Sequence, residues 1–206
     1  EEADLILSET PFYAESGGQV ADTGKIIGEG LVLQVLDVRK TQDGLWIHRI
    51  IVEKGTLNTS AQVKAEIDFD RRFSIMRHHT ATHLLQAALR KVIGSHIGQA
   101  GSYVSEQSLR FDFTHFKGLT DEELYQVTES VNEMIQKNVP ILKQETSMEE
   151  ARKLGALAFF GDKYGEKVRV VKSGDLSCEL CGGTHLDATG QIGFFRIIGE
   201  SSVASG

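Results

Sequence analysis

The sequence predicts an α+β fold, with a small β-barrel-like part over residues 1–70 followed by an α+β layered core over residues 71–206. Three observations predict it. Up to about residue 68 the apolar residues fall in short alternating or β-branched runs separated by Gly, Asp and Asn clusters. The texture then changes, and no Gly or Pro occurs between Arg71 and Val92. Beyond Gly94, helical and strand patterns alternate without the regular rhythm of parallel βαβ units, which points to a layered mixed core.

In the first part the expected strands are 5–7, 32–38, 45–52 and 63–69, with turns at Gly17-Gly18, 28–30, Asp43-Gly44 and 55–58. Short strands punctuated this way suggest a small barrel. From Arg71 the pattern predicts an amphipathic helix with Met76, Leu84, Leu85, Ala88 and Val92 on its apolar face and Gly94 as its stop. His79 and His83 fall on a neighbouring face with Thr82 and Gln86. Leu109, Phe111 and Phe113 alternate with Arg110 and Asp112, as in a half-buried strand. Thr120 and Glu123 form a capping box before Leu124, Val127, Val131, Met134 and Ile135, and Asn138 and Pro140 end that helix. Ser147 and Glu150 form a second box that opens a short helix to about Leu154, and residues 168–171 and 193–198 are further expected strands.

Composition narrows the function classes. With 206 residues, 40% hydrophobic and 25% charged, the chain has an ordinary soluble globular make-up. No apolar run reaches the ~18 residues of a membrane span, so no membrane partner is expected. The first residues show no signal-peptide pattern. Cys178 and Cys181 alone do not make a disulfide framework, and a reducing cytoplasm fits them. The net charge of −7 disfavours broad phosphate binding, so any RNA contact is local or supplied by another part of a longer protein. A beginning at Glu1 and an ending at Gly206 are what an excised piece would have.

The chemistry concentrates in two distant motifs. His79 and His83 are four residues apart on the predicted helix, so both imidazoles project from one face and can reach one ion. Nearly a hundred residues later, Cys181 and His185 bracket a Gly-Gly-Thr turn. Together they make a His3Cys set whose N and S donors suit a tetrahedral zinc. Cys178 competes for a place, because Cys178-x2-Cys181 is itself a possible zinc knuckle or redox pair; Cys181 is favoured for its Gly-Gly turn and matched His185, with Cys178 as a nearby or core thiol. The residues between the helix histidines are Thr80, Ala81 and Thr82, so the glutamate base of the His-Glu-x2-His proteases is absent.

The other unusual segment runs from Pro11 to Gly24. Its Gly17-Gly18 pair permits positive φ and close backbone approach, and Glu15, Ser16, Gln19, Asp22 and Thr23 surround the pair with polar groups. It is either a plain hairpin turn or a loop lining a substrate cleft, in which case Gly17, Gly18, Gln19 and Asp22 touch the substrate. Without a Walker lysine it is no ATP phosphate loop.

These segments resemble the editing domain of the alanyl-tRNA synthetases, in the threonyl/alanyl-tRNA synthetase second additional domain superfamily. The resemblance rests on residues 10–24, on Arg77-His78-His79-Thr80-Ala81-Thr82-His83-Leu84-Leu85, on Gln99 within Gly98-Gln99-Ala100-Gly101-Ser102, on Leu109-Arg110-Phe111-Asp112-Phe113, and on Cys181-Gly182-Gly183-Thr184-His185. It covers essentially the whole chain. The superfamily also contains freestanding trans-editing proteins, but the match from Arg77 to Leu85 and the segment 198–206 look most like the synthetases. The resemblance implies zinc held by His79, His83, Cys181 and His185. It also implies hydrolysis of the ester joining Ser or Gly to tRNA(Ala), in the cytoplasm, with the rest of a synthetase chain in cis. Such a piece is not expected to activate alanine.

An aminoacyl ester is already activated, so a positioned water and a polarised carbonyl suffice for its hydrolysis. The harder task is discrimination. Serine exceeds alanine by one hydroxyl, so the pocket must demand that hydroxyl, and Thr80, Thr82 and Gln99 are the candidates to read it. Glycine lacks the hydroxyl and needs a different fit. Each threonine also has a plain role as a helix residue bonding a carbonyl one turn back. His78, about 100° around the helix from His79, is expected to face elsewhere. His48, His96 and His115 are expected to be structural. Arg71, Arg72, Arg77, Arg90, Lys91, Lys163 and Lys167 are candidates for holding the tRNA acceptor end. The rival to an ester hydrolase is a non-catalytic zinc-stabilised tRNA-binding module, which the acidic charge disfavours.

Overall fold

The computed structural model describes residues 1–59, 61–157, 165 and 167–201; Lys163 and residues 202–206 of the C-terminal motif lie outside them. The architecture is α+β with antiparallel sheets, as the sequence predicts. The first part is a five-stranded sheet of β1 (Glu2–Leu5), β2 (Gly24–Gly28), β3 (Leu31–Lys40), β4 (Trp46–Lys54) and β5 (Val63–Ile67), in the order β1-β4-β3-β2-β5. It does not close into a barrel, because β1 and β5 stay at opposite edges. The apolar face that closure would bury is covered by the segment after β1, which packs Phe12, Ala14 and Ala21 against Ile26, Leu33, Val35 and Ile50. β3 shows why alternation alone misplaces side chains. Leu31, Leu33 and Val35 point inward, a register shift then falls between Val35 and Asp37, and Leu36 is turned out while Val38 returns to the core.

α1 (Phe69–Val92) begins at Asp68, whose carboxylate accepts from Arg71 N, and carries Arg90 and Lys91 in its last turn. It is less amphipathic than its sequence suggests, since every residue from His79 to Gln86 is buried. The helix lies inside the molecule, with α2 (Asp121–Gln136) and the hairpin β6 (Gln99–Val104)–β7 (Leu109–Phe113) packed around it. Leu84, Leu85, Ala88 and Leu89 meet Val127, Val131 and Ile135 in the main core. α2 opens with the predicted Thr120–Glu123 capping box and is followed by Asn138 at φ 48°.

The second sheet orders β8 (Ile141–Ser147), β9 (Lys167–Ser173) and β10 (Ser177–Leu180) as β10-β9-β8. The short α3 (Met148–Lys153) starts where Ser147 accepts from Glu150 N, which is half of the expected box. The strand expected at 193–198 is absent. After a 3₁₀ turn at Thr189–Ile192, Phe195 N–H and C=O pair with the side-chain amide of Asn132, so the alternating pattern there finds a helix side chain instead of a ladder.

Candidate metal centre

Four donors converge where α1 meets the turn after β10. His79, His83, Cys181 and His185 place one ligand atom each within 4.8 Å of one another. The helix supplies two imidazoles one turn apart, with ring centroids 5.5 Å apart. His185 lies 4.3 Å from the His79 ring and 4.5 Å from the His83 ring. Cys181 Sγ sits 3.3 Å from His79 Nε2 and 3.2 Å from His185 Nε2. The turn is clamped by Arg169, whose guanidinium donates to Cys181 O at 2.9 Å and Gly183 O at 2.7 Å. Gly183 is required by space: a Cβ there would run into the His79 ring.

Outer contacts decide which nitrogen each imidazole offers. Gln19 Oε1 accepts from His79 Nδ1 at 2.6 Å, so His79 Nε2 faces the cage. Thr80 Oγ1 lies 3.2 Å from His185 Nδ1, leaving Nε2 of that ring. His83 Nε2 is 3.5 Å from Glu179 Oε2, and its Nδ1 is buried with no hydrogen-bond partner. Such an orphaned nitrogen is costly unless something coordinates it. Burial and then Arg169 lower His79 to about 4, while burial and the neighbouring imidazoles hold His83 and His185 well below the usual histidine range. Burial pushes the Cys181 thiol up to about 12 and Glu179 up to about 8. Three neutral imidazoles, one of them with an unpartnered buried nitrogen, and a thiol make four donors, and this group could hold a metal ion.

The cage opens onto a cleft of about 530 Å³. Gly17, Gly18, Thr82, Gln99, Ser102 and Lys167 line it opposite Cys181 and Gly183. The loop forms this wall because Val20 N donates to Val104 O and Val104 N to Gly18 O, adding it to β6. Gly18 has φ 81°, and a Cβ on it would meet the Ser102 backbone at 2.5 Å. Thr82 Oγ1 donates to His78 O one turn back, and Gln99 Nε2 donates to Ser102 Oγ. Ser102, quoted in the Gly98–Ser102 motif but not expected at the site, is a wall residue as well.

Other expected site residues are placed elsewhere. Asp22 is 1% exposed, accepts from Tyr13 N and pairs with Arg72, so it braces the loop and does not line the cleft. Gln19 is fully buried behind the cage, and Thr80, which accepts from Leu186 N, is buried with it; neither reaches the cleft. Arg71 and Arg90 are likewise engaged with backbone carbonyls of Ala21 and Ile97. Each of these side chains carries a charge or dipole that the fold itself uses, which spacing along the chain does not reveal. His78 bonds Ser105 O, away from the cage, and His48 is held between Thr10 and Leu5 in the first sheet. Cys178 is half-buried on β10 beside Met148 and Ala156, outside the four-donor group.

Residues 1–71 match the family model of tRNA synthetases class II (A), and residues 168–206 match the threonyl and alanyl tRNA synthetase second additional domain. Over 202 residues the chain is 56% identical to the alanine–tRNA ligase of Acetivibrio thermocellus, covering 98% of this chain and 23% of that protein. The ligases of Pelotomaculum thermopropionicum and Bacillus cereus are 52% and 49% identical over all 206 residues, which are 24% and 23% of their lengths. The chain belongs to the alanine–tRNA ligase family and spans about a quarter of these relatives.

Proposed function

We propose that this chain is the proofreading domain of an alanine–tRNA ligase and hydrolyses the ester joining serine or glycine to tRNA(Ala). The observation that carries this is one cleft in which a four-donor cage faces a polar wall of Gly17, Gly18, Thr82, Gln99 and Ser102. In this proposal residues 1–70 contribute the loop wall and residues 71–206 the hydrolytic core. The remainder of the ligase, in the cytoplasm, presents the tRNA acceptor end in cis.

Zinc is the metal the donors suit. Its ligands would be His79 Nε2, His83 Nδ1, His185 Nε2 and Cys181 Sγ, and the 3.2 and 3.3 Å separations to sulfur approach the ~3.5 Å edge of a tetrahedral zinc site. With all four ligands bound, such an ion would chiefly order the pocket, and it would supply Lewis acidity only if one ligand gave way to a water. The residues do the positioning. Gly18 lets the loop pack directly on Ser102 and so holds the wall in place, and Lys167, which lines the cleft, would meet acceptor-end phosphate. Thr82 has spent its hydrogen on His78 O, so its oxygen is left to accept from a serine hydroxyl, and the Gln99–Ser102 pair supplies the second polar group. Alanine leaves the Thr82 acceptor without that partner, and a site that demands a hydroxyl can discriminate by about 10⁴; glycine, which lacks the hydroxyl too, needs a different fit. Thr80 acts at one remove, by holding His185.

The test is incubation of the purified chain with Ser-charged and Ala-charged tRNA(Ala), with and without a chelator. Selective, chelator-sensitive loss of the Ser ester is expected. Equal stability of both esters, or loss indifferent to chelation and to Thr82→Val, would refute the proposal.

A further inference from the structure

Gln19 does something its place in a glycine-rich loop does not suggest. It is fully buried, and its side chain passes behind the cleft wall to the cage. Its Oε1 lies 2.6 Å from His79 Nδ1 and accepts from Thr184 N at 2.9 Å, while its Nε2 donates to Thr184 Oγ1 at 2.9 Å. The orientation of this amide is fixed by chemistry. A backbone N–H can only donate, so the atom facing Thr184 N is the oxygen. That oxygen can only accept, so His79 must carry its proton on Nδ1 and keep the Nε2 lone pair toward Cys181.

One side chain therefore joins three separate pieces of chain: the loop, α1 through His79, and the Cys181–His185 turn through Thr184. Its own backbone is part of the wall. Gln19 and Ser16 exchange both backbone hydrogen bonds across the Gly17-Gly18 turn, and the flanking Gly18 and Val20 pair with Val104 of β6. Tyr13 OH also donates to Ser16 O, tightening the turn. If the His79 ring moves, Gln19 loses a buried partner, and the wall loses its anchor; if the wall lifts, His79 loses the group that sets its tautomer.

We infer that Gln19 is a positioning residue for His79 and couples metal occupancy of the cage to closure of the Gly17-Gly18 wall. This rests on the cage holding a metal. The coupling is reciprocal, so a metal steadies the wall, and a ligand pressed against the wall tightens the metal. Emptying the cage therefore loosens the cleft even in residues that touch no ligand atom. Second-layer partners of metal-bound histidines commonly contribute 10–100-fold to metal affinity.

The test compares wild-type chain with Gln19→Leu and Gln19→Glu. Metal affinity is measured by chelator competition, the ligand field by the visible spectrum of the cobalt-substituted protein, and wall closure by hydrogen exchange at Val20 and Val104 with and without chelator. In the wild type, chelation is expected to speed exchange at both amides roughly 5–150-fold, the range of ordinary coupling energies. Gln19→Leu should bind metal about 10–100-fold more weakly, with an altered cobalt spectrum, and its exchange should no longer respond to chelation. Gln19→Glu keeps an acceptor for His79 and Thr184 and should restore most of the affinity. A wild type that binds metal while Gln19→Leu matches its affinity and spectrum overturns this inference alone. So does wild-type exchange at Val20 and Val104 that ignores chelation, a result that stands even where Gln19→Leu fails to fold. A wild type that binds no metal overturns the metal centre and the inference together.

Discussion

Two adjacent glycines test the packing of the cage. Gly183 and Gly182 sit side by side in the turn between Cys181 and His185, and neither has a left-handed φ. An alanine Cβ at 182 has no neighbour within 4 Å, whereas at 183 it would enter the His79 ring and lie 2.9 Å from Gln19 Oε1. Gly182→Ala should therefore act mainly on the unfolded chain and stabilise by about 0.4–1 kcal/mol. Gly183→Ala must push His79 aside, at about 1–3 kcal/mol for overpacking. If the ring leaves Gln19, the buried amide oxygen loses its shortest partner, which adds about 1–3 kcal/mol. The expected loss is thus about 2–6 kcal/mol, opposite in sign to the change next door. Urea denaturation of the metal-free proteins measures both, and chelator competition should show metal binding at least tenfold weaker, or about 1.4 kcal/mol, in the 183 variant. Gly183→Ala within 0.5 kcal/mol of wild type and with unchanged metal affinity would refute the close approach of turn and helix.

Three further outcomes follow from the same geometry. Cys181→Ala should abolish metal binding measured by elemental analysis, whereas Cys178→Ala, outside the donor group, should leave the metal-to-protein ratio unchanged; the reverse pattern would reassign the thiol ligand. Asp22→Ala should cost about 3–5 kcal/mol in chemical denaturation, because it strands the guanidinium of Arg72, itself largely buried; a loss under about 1 kcal/mol would contradict a structural ion pair. In the metal-free protein, His79, His83 and His185 stay neutral when folded but charge in the unfolded chain below about 6.5, so stability should fall as pH drops from 6.5 toward 4.5. Glu179, protonated in the folded state until about 8, works against one of them above its unfolded value near 4.5, leaving a slope of up to about 3 kcal/mol per pH unit. A stability that is flat or rising over that interval in denaturation titrations would contradict the buried neutral imidazoles.

Much of the site was legible because its signals are local. A four-residue histidine spacing needs only helical periodicity, and a glycine pair between Cys181 and His185 needs only the space a turn requires. The capping box at Thr120 and the stop at Asn138 and Pro140 are also local, and α2 begins and ends where they place it. Misplacements arose where a distant partner decided. The 193–198 segment alternates like a strand, yet Asn132 takes its backbone groups. The first sheet has a barrel's rhythm of strands and turns, but Phe12, Ala14 and Ala21 cover the face that closure would have buried.

Polar residues divide along the same line. Sequence marked Thr80, Thr82 and Gln99 as readers of the serine hydroxyl and Gln19 and Asp22 as substrate contacts of the loop. Only the tertiary structure sends Asp22 to Arg72, Gln19 and Thr80 to the backs of the His79 and His185 rings, and Thr82 and Gln99 to the cleft. What the sequence determined by itself was the donor chemistry, since residue type and short spacing fix which atoms can share an ion. What only the fold decided was the use of each polar group, because hydrogen-bond partners as much as 165 residues apart settle which groups are spent on the structure and which remain to meet a substrate.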